Sequence, residues 1–417
     1  MIGKLYYSYR KSTLLRSILW TILIVSVYML GQRVLLSTVP LSHQEIKLAV
    51  DQHLLNNFSA VSGGSFNKLN VFTLGLSPWM SSMIIWRFVS LFSWAKNATK
   101  RKAEVAQYTL MLTISVIQAY GVSGNQFIKS SLLGSYSDIV FKALTMVLLI
   151  SGSFVLMWLA NLNASKGLGG SIVIILVSML QATTTGIITY FEQSHFSIMD
   201  LLGTIIAISI ILSVLLLIST VVYRAEYRIP IRRIDIVSKF AQDTYIPIRI
   251  NPAGSYPFMY GMTLMMLPTF IIQALLLAFP NERLLIQISS MIAINKPLGI
   301  GLFVILLFIL SIGFAYFNYD PYNIAKNMRQ RGEYFQNVTP GAATQRFLQE
   351  KISIMAVVGA IFTVIMGGLP MLAVVGKTNQ VSIAMIVINI YIISTFMLSI
   401  IEQVNTLKLW GSHRNII

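Results

Sequence analysis

The stretch GGSFNKLNVFTLGLSPWMSSMIIWRF, residues 63–88, decides how this chain folds. Two glycines, two asparagines and a lysine lead into an apolar run that opens at Pro78 and meets Arg87. From Pro78 to Phe92 there are 15 residues, about 22 Å of helix, against a hydrocarbon core of about 30 Å. The segment enters a membrane and is too short to cross it. The residues before it include NNFSAVSGGSFNKLN, and irregular backbone of that kind is tolerated at membrane depth only where it is buried in protein or lines a wet cavity. The pattern predicts a re-entrant piece over about 54–70, then a proline-started half-helix that carries the chain to the other face. The alternative is an ordinary external loop followed by a short tilted helix.

The rest of the chain supplies the membrane. Of its 417 residues 55% are hydrophobic and 11% charged, where soluble domains carry about 25% charged residues. Apolar runs at Ser17–Gln32, Val105–Ile128, Ala143–Ser165, Gly167–Phe191, Leu201–Tyr223, Pro257–Phe279, Pro297–Tyr319, Ile352–Gly376 and Thr378–Ile401 read as spans, most of them at or above the roughly 20 residues that cross as helix. With the opening stretch they make ten crossings. The basic N-terminus is read as leading into a retained first helix, since no small-x-small cleavage site follows.

Charge placement supports that number. With ten crossings and the N-terminus inside, 22 Lys and Arg fall on the inner side and eight on the outer, with Arg87 left inside a helix. That asymmetry follows the positive-inside rule and places both termini in the cytoplasm. Nine crossings would scramble it, so residues 63–88 must change sides.

Two inner loops, 224–256 and 318–351, are long. They hold eleven of the 31 basic residues, with Pro230, Pro247, Pro252, Pro321 and Pro340 read as turn formers. Such loops suit a platform for a cytosolic partner; the blander reading is a basic apron on anionic lipid headgroups. The crossings divide five and five, the condition for two halves of opposite orientation around a central path. The expected units are an N-terminal part, 1–223, whose sixth helix (from 201) belongs to the second half; a docking loop, 224–256; and the remainder of the C-terminal half, 257–417.

Several chemistries are excluded by what is missing. Cysteine is absent, which removes thiolate nucleophiles and thiolate metal sites. The histidines, His43, His53, His195 and His413, have no ligand spacing. GVSGNQFIKSS, residues 121–131, lacks the glycine a phosphate loop needs before Lys129. Asp138, Asp200, Asp320 and Glu402 all fall near span ends, so the midplane carboxylates expected of a proton-coupled carrier are lacking. No catalysis, cofactor, metal or nucleic acid is expected, and any work of transport needs an outside source of energy. A small-solute transporter with inverted repeats remains the competing class, and a membrane enzyme would need acidic or histidine clusters that are not evident.

Several ordered stretches resemble SecY, the channel subunit of the bacterial protein-export translocase. They are FTLGLSPWMSSMII (72–85), LMWLANLNASKGLGGSI (156–172), YRIPIRR (227–233), TYIPIRINPAGSYPFM (244–259), DPYNIAKNMRQRGEYF (320–335), TPGAATQRFL (339–348) and IEQVNTL (401–407). The resemblance implies an all-α polytopic fold of ten helices in two inverted halves with a re-entrant plug. It implies a pore ring of Leu76, Met80, Leu176, Leu180, Met259 and Ile392, a plug containing Gly63, Gly64, Phe66 and Asn67, and a lateral gate that includes Pro78 and Arg87. It also implies signal sequences and unfolded preproteins as cargo, a SecA-type motor, a SecE-like small subunit and the bacterial plasma membrane. For the motor-docking surface the candidates are Arg232, Arg233, Arg249, Arg329, Arg331 and Arg346. Three departures stand out: Thr339 replaces an arginine before Pro-Gly, Arg87 replaces a glutamine, and the ring is richer in Leu and Met than in Ile. With a short C-terminal tail they resemble the accessory SecY of Gram-positive bacteria, which exports serine-rich glycoprotein adhesins with its own SecA. Arg87 is expected to face a watery inner funnel, or else to snorkel to the headgroups.

Overall fold

The structure, a computed structural model, describes residues 13–36, 59–65, 69–90, 99–124, 134–193, 198–233, 244–279, 282–292, 296–373 and 381–413. Its helices in chain order are α1 (Thr13–Arg33), α2 (Ser77–Val89), α3 (Lys100–Gly124), α4 (Gly134–Lys166), α5 (Ser171–Gln193), α6 (Ile198–Arg224), α7 (Tyr256–Ala278), α8 (Arg283–Ile292), α9 (Pro297–Asn318), α10 (Pro321–Gln330), α11 (Ala342–Leu372) and α12 (Val381–His413). Among the described residues eight helices are long and apolar enough to cross a bilayer; α6 carries a shorter apolar stretch, Ser209–Arg224, and α2 has 13 residues. Each of the ten expected crossings thus has its helix, and α8 and α10 are short additions.

The helices pack through small residues and polar pairs, as expected where lipid supplies no hydrophobic drive between them. A Cβ built on Gly367 of α11 would stand 2.4 Å from the Phe258 ring of α7 and 2.9 Å from Leu307 of α9, so glycine is what lets these three helices meet. Ser219 of α6 and Ser394 of α12 share a hydrogen bond of 2.6 Å between hydroxyls. The link between α4 and α5 is held by Asn163, whose Nδ2 donates to the carbonyls of Leu168 and Gly170 at 2.8 Å each. Thr21 of α1 and Gln403 of α12 bind the amides of Leu168 and Gly169, both at 2.8 Å. Four helices are thereby fastened at one face.

The two long loops do not remain separate. Strands β1 (Glu226–Arg233) and β2 (Thr244–Arg249) pair antiparallel, and β3 (Glu333–Tyr334), from the other loop, adds to the free edge of β1 in the order β2-β1-β3. Pro230 and Pro247 lie within strands, which corrects their reading as turn formers. Neither meets the usual objection to proline in a sheet: β2 is an edge strand, and β3 pairs only with Arg232 and Arg233, beyond Pro230. Ile229, Ile248, Ala325, Met328, Phe335, Leu348 and Ile352 form a buried apolar cluster under this sheet, separate from the main core. Asp320 caps α10 by accepting from the amides of Tyr322 and Asn323 at 3.0 and 3.3 Å. The all-helical reading therefore holds for the membrane part, with a small mixed unit attached at one face.

That unit should open independently of the membrane helices, because its core is small and its own. Ile248→Ala removes a fully buried side chain, a loss of about 2–5 kcal/mol in cores of this kind. Limited proteolysis in detergent should cut the variant within 226–249 at least several-fold faster than the parent, with the thermal unfolding of the membrane part unchanged. Equal cleavage rates would show that the cluster does not hold the hairpin.

Candidate functional site

The re-entrant segment is a tight turn packed backbone against backbone. The amides of Ser62 and Gly64 donate to the Ser59 carbonyl, each at 2.9 Å, and Gly63 N donates to the Ala60 carbonyl at 3.0 Å. The turn then lies against residues 73–76: Leu76 N donates to the Ser62 carbonyl at 2.7 Å, and Ser65 N to the Thr73 carbonyl at 3.3 Å. Gly75 has φ of 61°, in the left-handed region, and a Cβ there would lie 2.4 Å from the Gly64 nitrogen. A Cβ on Gly64 would lie 2.5 Å from the Thr73 carbonyl. Side chains are excluded on both sides of this contact, which explains the glycines at 64 and 75. Gly63 and Gly64 are buried; Phe66 and Asn67, the other expected plug residues, lie outside the described residues.

Helices hold the turn from both sides. Tyr28 Oη of α1 donates to the Gly63 carbonyl at 2.8 Å, and Ser178 Oγ of α5 donates to the Gly64 carbonyl at 3.2 Å. Gly31 of α1 lies against the Phe72 ring and Gly152 of α4 against the Val71 carbonyl, at 2.0 and 1.9 Å from their would-be Cβ atoms. Gln118 Nε2 of α3 donates to Ser77 Oγ at 3.1 Å, where α2 begins with proline in its first turn.

Leu76 and Met80 from this region, Leu176 from α5, Met259 from α7 and Ile392 from α12 are all buried in one apolar cluster, which also takes in Val61 of the turn. Leu180, the sixth ring candidate, stands outside that cluster and is 45% exposed. Some buried polar groups among these helices lack partners. The side-chain amides of Gln273 on α7 and Asn389 on α12 are buried with no hydrogen-bond partner among the described residues, as is Thr183 Oγ1 on α5. Asn389 lies three residues before Ile392, on the same helical face. Sequence reading missed these residues; an isolated amide in an apolar run was the signal available.

On the α2 side, Pro78 is buried and Arg87 is half-buried. Its guanidinium lies over the rings of Phe314 and Phe317 on α9, 5.7 and 5.4 Å from their centroids. Tyr260 Oη of α7 donates to Met83 Sδ of α2 at 3.2 Å, so α2 also touches α7 directly.

The six basic candidates separate into two kinds. Arg233 pairs with Glu333 at 2.9 Å, tying β1 to β3. Arg249 binds both carboxylate oxygens of Glu402 on α12, at 2.9 and 3.1 Å, and lies 4.3 Å from the ring centroid of Tyr223 on α6. Burial by itself lowers the pKa of that guanidinium, and Tyr223 and Glu402 together leave it above its ordinary value. These two arginines hold the sheet together and to the membrane helices. Arg232, Arg329, Arg331 and Arg346 are exposed and form no ion pair among the described residues.

Comparison with known proteins places this geometry. The family model described as SecY matches residues 70–398. The chain is 39% identical over 421 residues to the accessory Sec system protein translocase subunit SecY2 of Streptococcus parasanguinis, with 100% of each chain covered. It is 36% identical to the protein of the same description from Streptococcus gordonii, covering 96% of this chain and 98% of that one. Among solved structures it resembles "The structure of a protein conducting channel", with a TM-score of 0.69 at 16% identity, covering 97% of this chain and 94% of that one. It also resembles "Sec61 in the Canine ribosome-channel complex from the endoplasmic reticulum", with a TM-score of 0.66 at 15% identity over 96% and 94% of the two chains.

The backbone contact between the turn and residues 73–76 has a direct consequence. Gly75→Ala must strain a left-handed backbone and separate two strands of main chain, a loss of about 2–4 kcal/mol. Its thermal unfolding midpoint in detergent should fall by several degrees, whereas Gly301→Ala, in open space on α9, should leave the midpoint within a degree. Equal midpoints for Gly75→Ala and the parent would disprove the packing argument.

Proposed function

The chain belongs to the SecY family, and from that premise we propose that it is the protein-conducting channel of an accessory Sec translocase. It is a multi-pass membrane protein whose path, on this reading, runs between its helices at the apolar cluster of Leu76, Met80, Leu176, Met259 and Ile392, with Leu180 one turn along α5. The observation that carries the reading is the placement of that cluster under the 59–65 turn. Four helices converge on apolar side chains, and the turn abuts them through hydrogen bonds and glycine contacts that could be undone without unfolding any helix. An apolar throat of this kind resists wetting and offers ions no binding site, and methionine lets the seal conform to a passing chain.

A small-solute carrier is not supported. Among the described residues no Asp, Glu, Lys, Arg or His is buried, so a charged midplane site is lacking there. The orphaned amides of Gln273 and Asn389 fit a passage that takes up water or polypeptide when open, since a permanently dry interior leaves such groups at a cost of about 1–3 kcal/mol each.

In this proposal the plug includes Gly63 and Gly64, and the lateral gate lies between α2 and α7. The termini face the cytoplasm of a bacterial plasma membrane. The cargo is unfolded preproteins carrying signal sequences, of the serine-rich glycoprotein class that the resemblance to the accessory SecY implies. The channel does no chemistry; a SecA-type ATPase supplies the energy, and a SecE-like subunit completes the complex. The motor docks on the sheet-and-α10 unit through Arg232, Arg329, Arg331 and Arg346, with Arg233 and Arg249 building the surface from within.

Two experiments test this. A photoreactive residue at Met80 should crosslink to a stalled serine-rich export substrate in cells; an intact, expressed protein with no substrate adduct at Met80 would sink the channel reading. Charge reversal at Arg329 and Arg331 together should weaken binding of the cognate ATPase by about tenfold at low salt and less at high salt. Unchanged affinity would return those residues to the membrane surface.

A further inference from the structure

Arg87 is the one basic residue that the charge count leaves inside a membrane segment, and its surroundings form a closed circuit. The guanidinium of this α2 residue lies over Phe314 and Phe317 of α9. Phe314 is stacked on Tyr260 of α7, with centroids 4.9 Å apart at 26°. Tyr260 returns to α2 through its 3.2 Å hydrogen bond to Met83. Beside Arg87, Phe88 meets Phe317 edge to face at 6.4 Å. Among the described residues no carboxylate lies within 4.0 Å of Arg87, so the aromatic faces are what attracts its charge there. Such attraction strengthens as water is withdrawn, and a planar guanidinium can both stack and attract where an ammonium can only attract.

We propose that Arg87 is a positioning residue that latches α2 to α7 and α9, and so sets how apolar an arriving segment must be to part them. This deepens the channel reading and rests on it. Parting α2 from α9 takes the guanidinium off both rings and leaves it beside lipid or beside the inserted segment. An apolar segment can replace the contacts that Phe314, Phe317 and Tyr260 lose, but it brings nothing for the charge. The glutamine that the resemblance assigns to the housekeeping proteins has no comparable attachment to aromatic faces. The latch therefore raises the threshold in this chain, and only a strongly apolar segment, or one helped by a bound motor, crosses it.

The absence of cysteine from the whole sequence makes the test clean. Spin labels at Val89→Cys, on α2, and Tyr322→Cys, exposed at the start of α10 just past α9, report their separation by pulsed electron paramagnetic resonance in the full-length protein in lipid nanodiscs, without cargo or motor. Arg87→Gln should raise the ratio of long to short separations about five- to thirtyfold, and Arg87→Lys, which keeps the charge, should raise it less. Phe317→Leu should act like Arg87→Gln, and combining the two should add little to either alone. An Arg87→Gln distribution matching the parent, or effects of Arg87→Gln and Phe317→Leu that multiply as independent changes, would overturn the latch. Because no cargo is present, this readout is separate from the crosslink at Met80: a missing substrate adduct counts against the channel, and an unmoved distance distribution counts against the latch.

Discussion

A main chain that turns back inside a bilayer must find a partner for every N–H and C=O it carries, because hydrocarbon supplies none. The described parts of the segment, 59–65 and 69–76, answer it by packing on each other and by borrowing donors from helices. Their glycines allow two stretches of backbone to approach closely enough for Leu76 N to reach the Ser62 carbonyl. The carbonyls of Gly63 and Gly64, left over by the turn, accept from Tyr28 on α1 and Ser178 on α5. The groups that satisfy the backbone are therefore the same groups that hold the turn against the apolar cluster. If the turn is the plug of a channel, it cannot leave until something else satisfies those carbonyls, and water is the available candidate. Opening and wetting are then one event, driven by the hydrogen-bonding rule that also makes the closed state compact.

The half-helix was legible from length arithmetic alone: Pro78 marks its start, Arg87 its charged end, and 13 helical residues are too few to cross. Charge placement gave the number of crossings for an equally simple reason, since each misplaced span would carry its loops to the wrong side. What stayed illegible depends on partners distant in the chain. The pairing of Arg233 with Glu333 joins residues 100 positions apart, and no local pattern announces it; two of the prolines that suggested turns, Pro230 and Pro247, lie instead in strands of a sheet whose third strand comes from another loop. Leu180 entered the ring through the family resemblance, and no local pattern indicated that it would be more exposed than Leu176 one turn before it. The seat of Arg87 over Phe314 and Phe317 was illegible for the same reason, since α9 is distant in the chain and no local pattern places it beside α2.

The basic unit at the membrane face is mechanically continuous with α7. Arg249 fastens β2 to α6 and α12, and the Arg249 amide donates to Tyr319 Oη at the end of α9. In the linker to α7, Asn251 Nδ2 donates to Tyr391 Oη of α12 at 3.1 Å, and Asn318 Nδ2 of α9 donates to the Pro252 carbonyl at 2.9 Å. A partner that moved the sheet would load this linker together with the direct connection of β1 to α6 and the Arg249 contacts to α6 and α12, and α7 begins four residues beyond Pro252. In the proposed channel such continuity is a route by which docking would bias α7, provided that α7 has two stable positions.

In the proposed channel, two such positions would differ in what the apolar seal and the aromatic seat of Arg87 each lose. A seal of Leu, Met and Ile is soft, since methionine reorients at little cost and no single contact is decisive. A soft seal tolerates a moving chain, yet by itself discriminates poorly between a signal segment and any other apolar helix. A charge seated on aromatic rings behaves in the opposite way: it is lost all at once when α2 separates from α9, and lipid does not restore it. With the seal conforming and the latch discriminating, a softer ring and an added arginine are changes that compensate each other. If the apolar cluster is the seal and Arg87 the latch, two of the three departures from the housekeeping pattern, in the ring and at Arg87, have one physical explanation, and Thr339 stands apart from it.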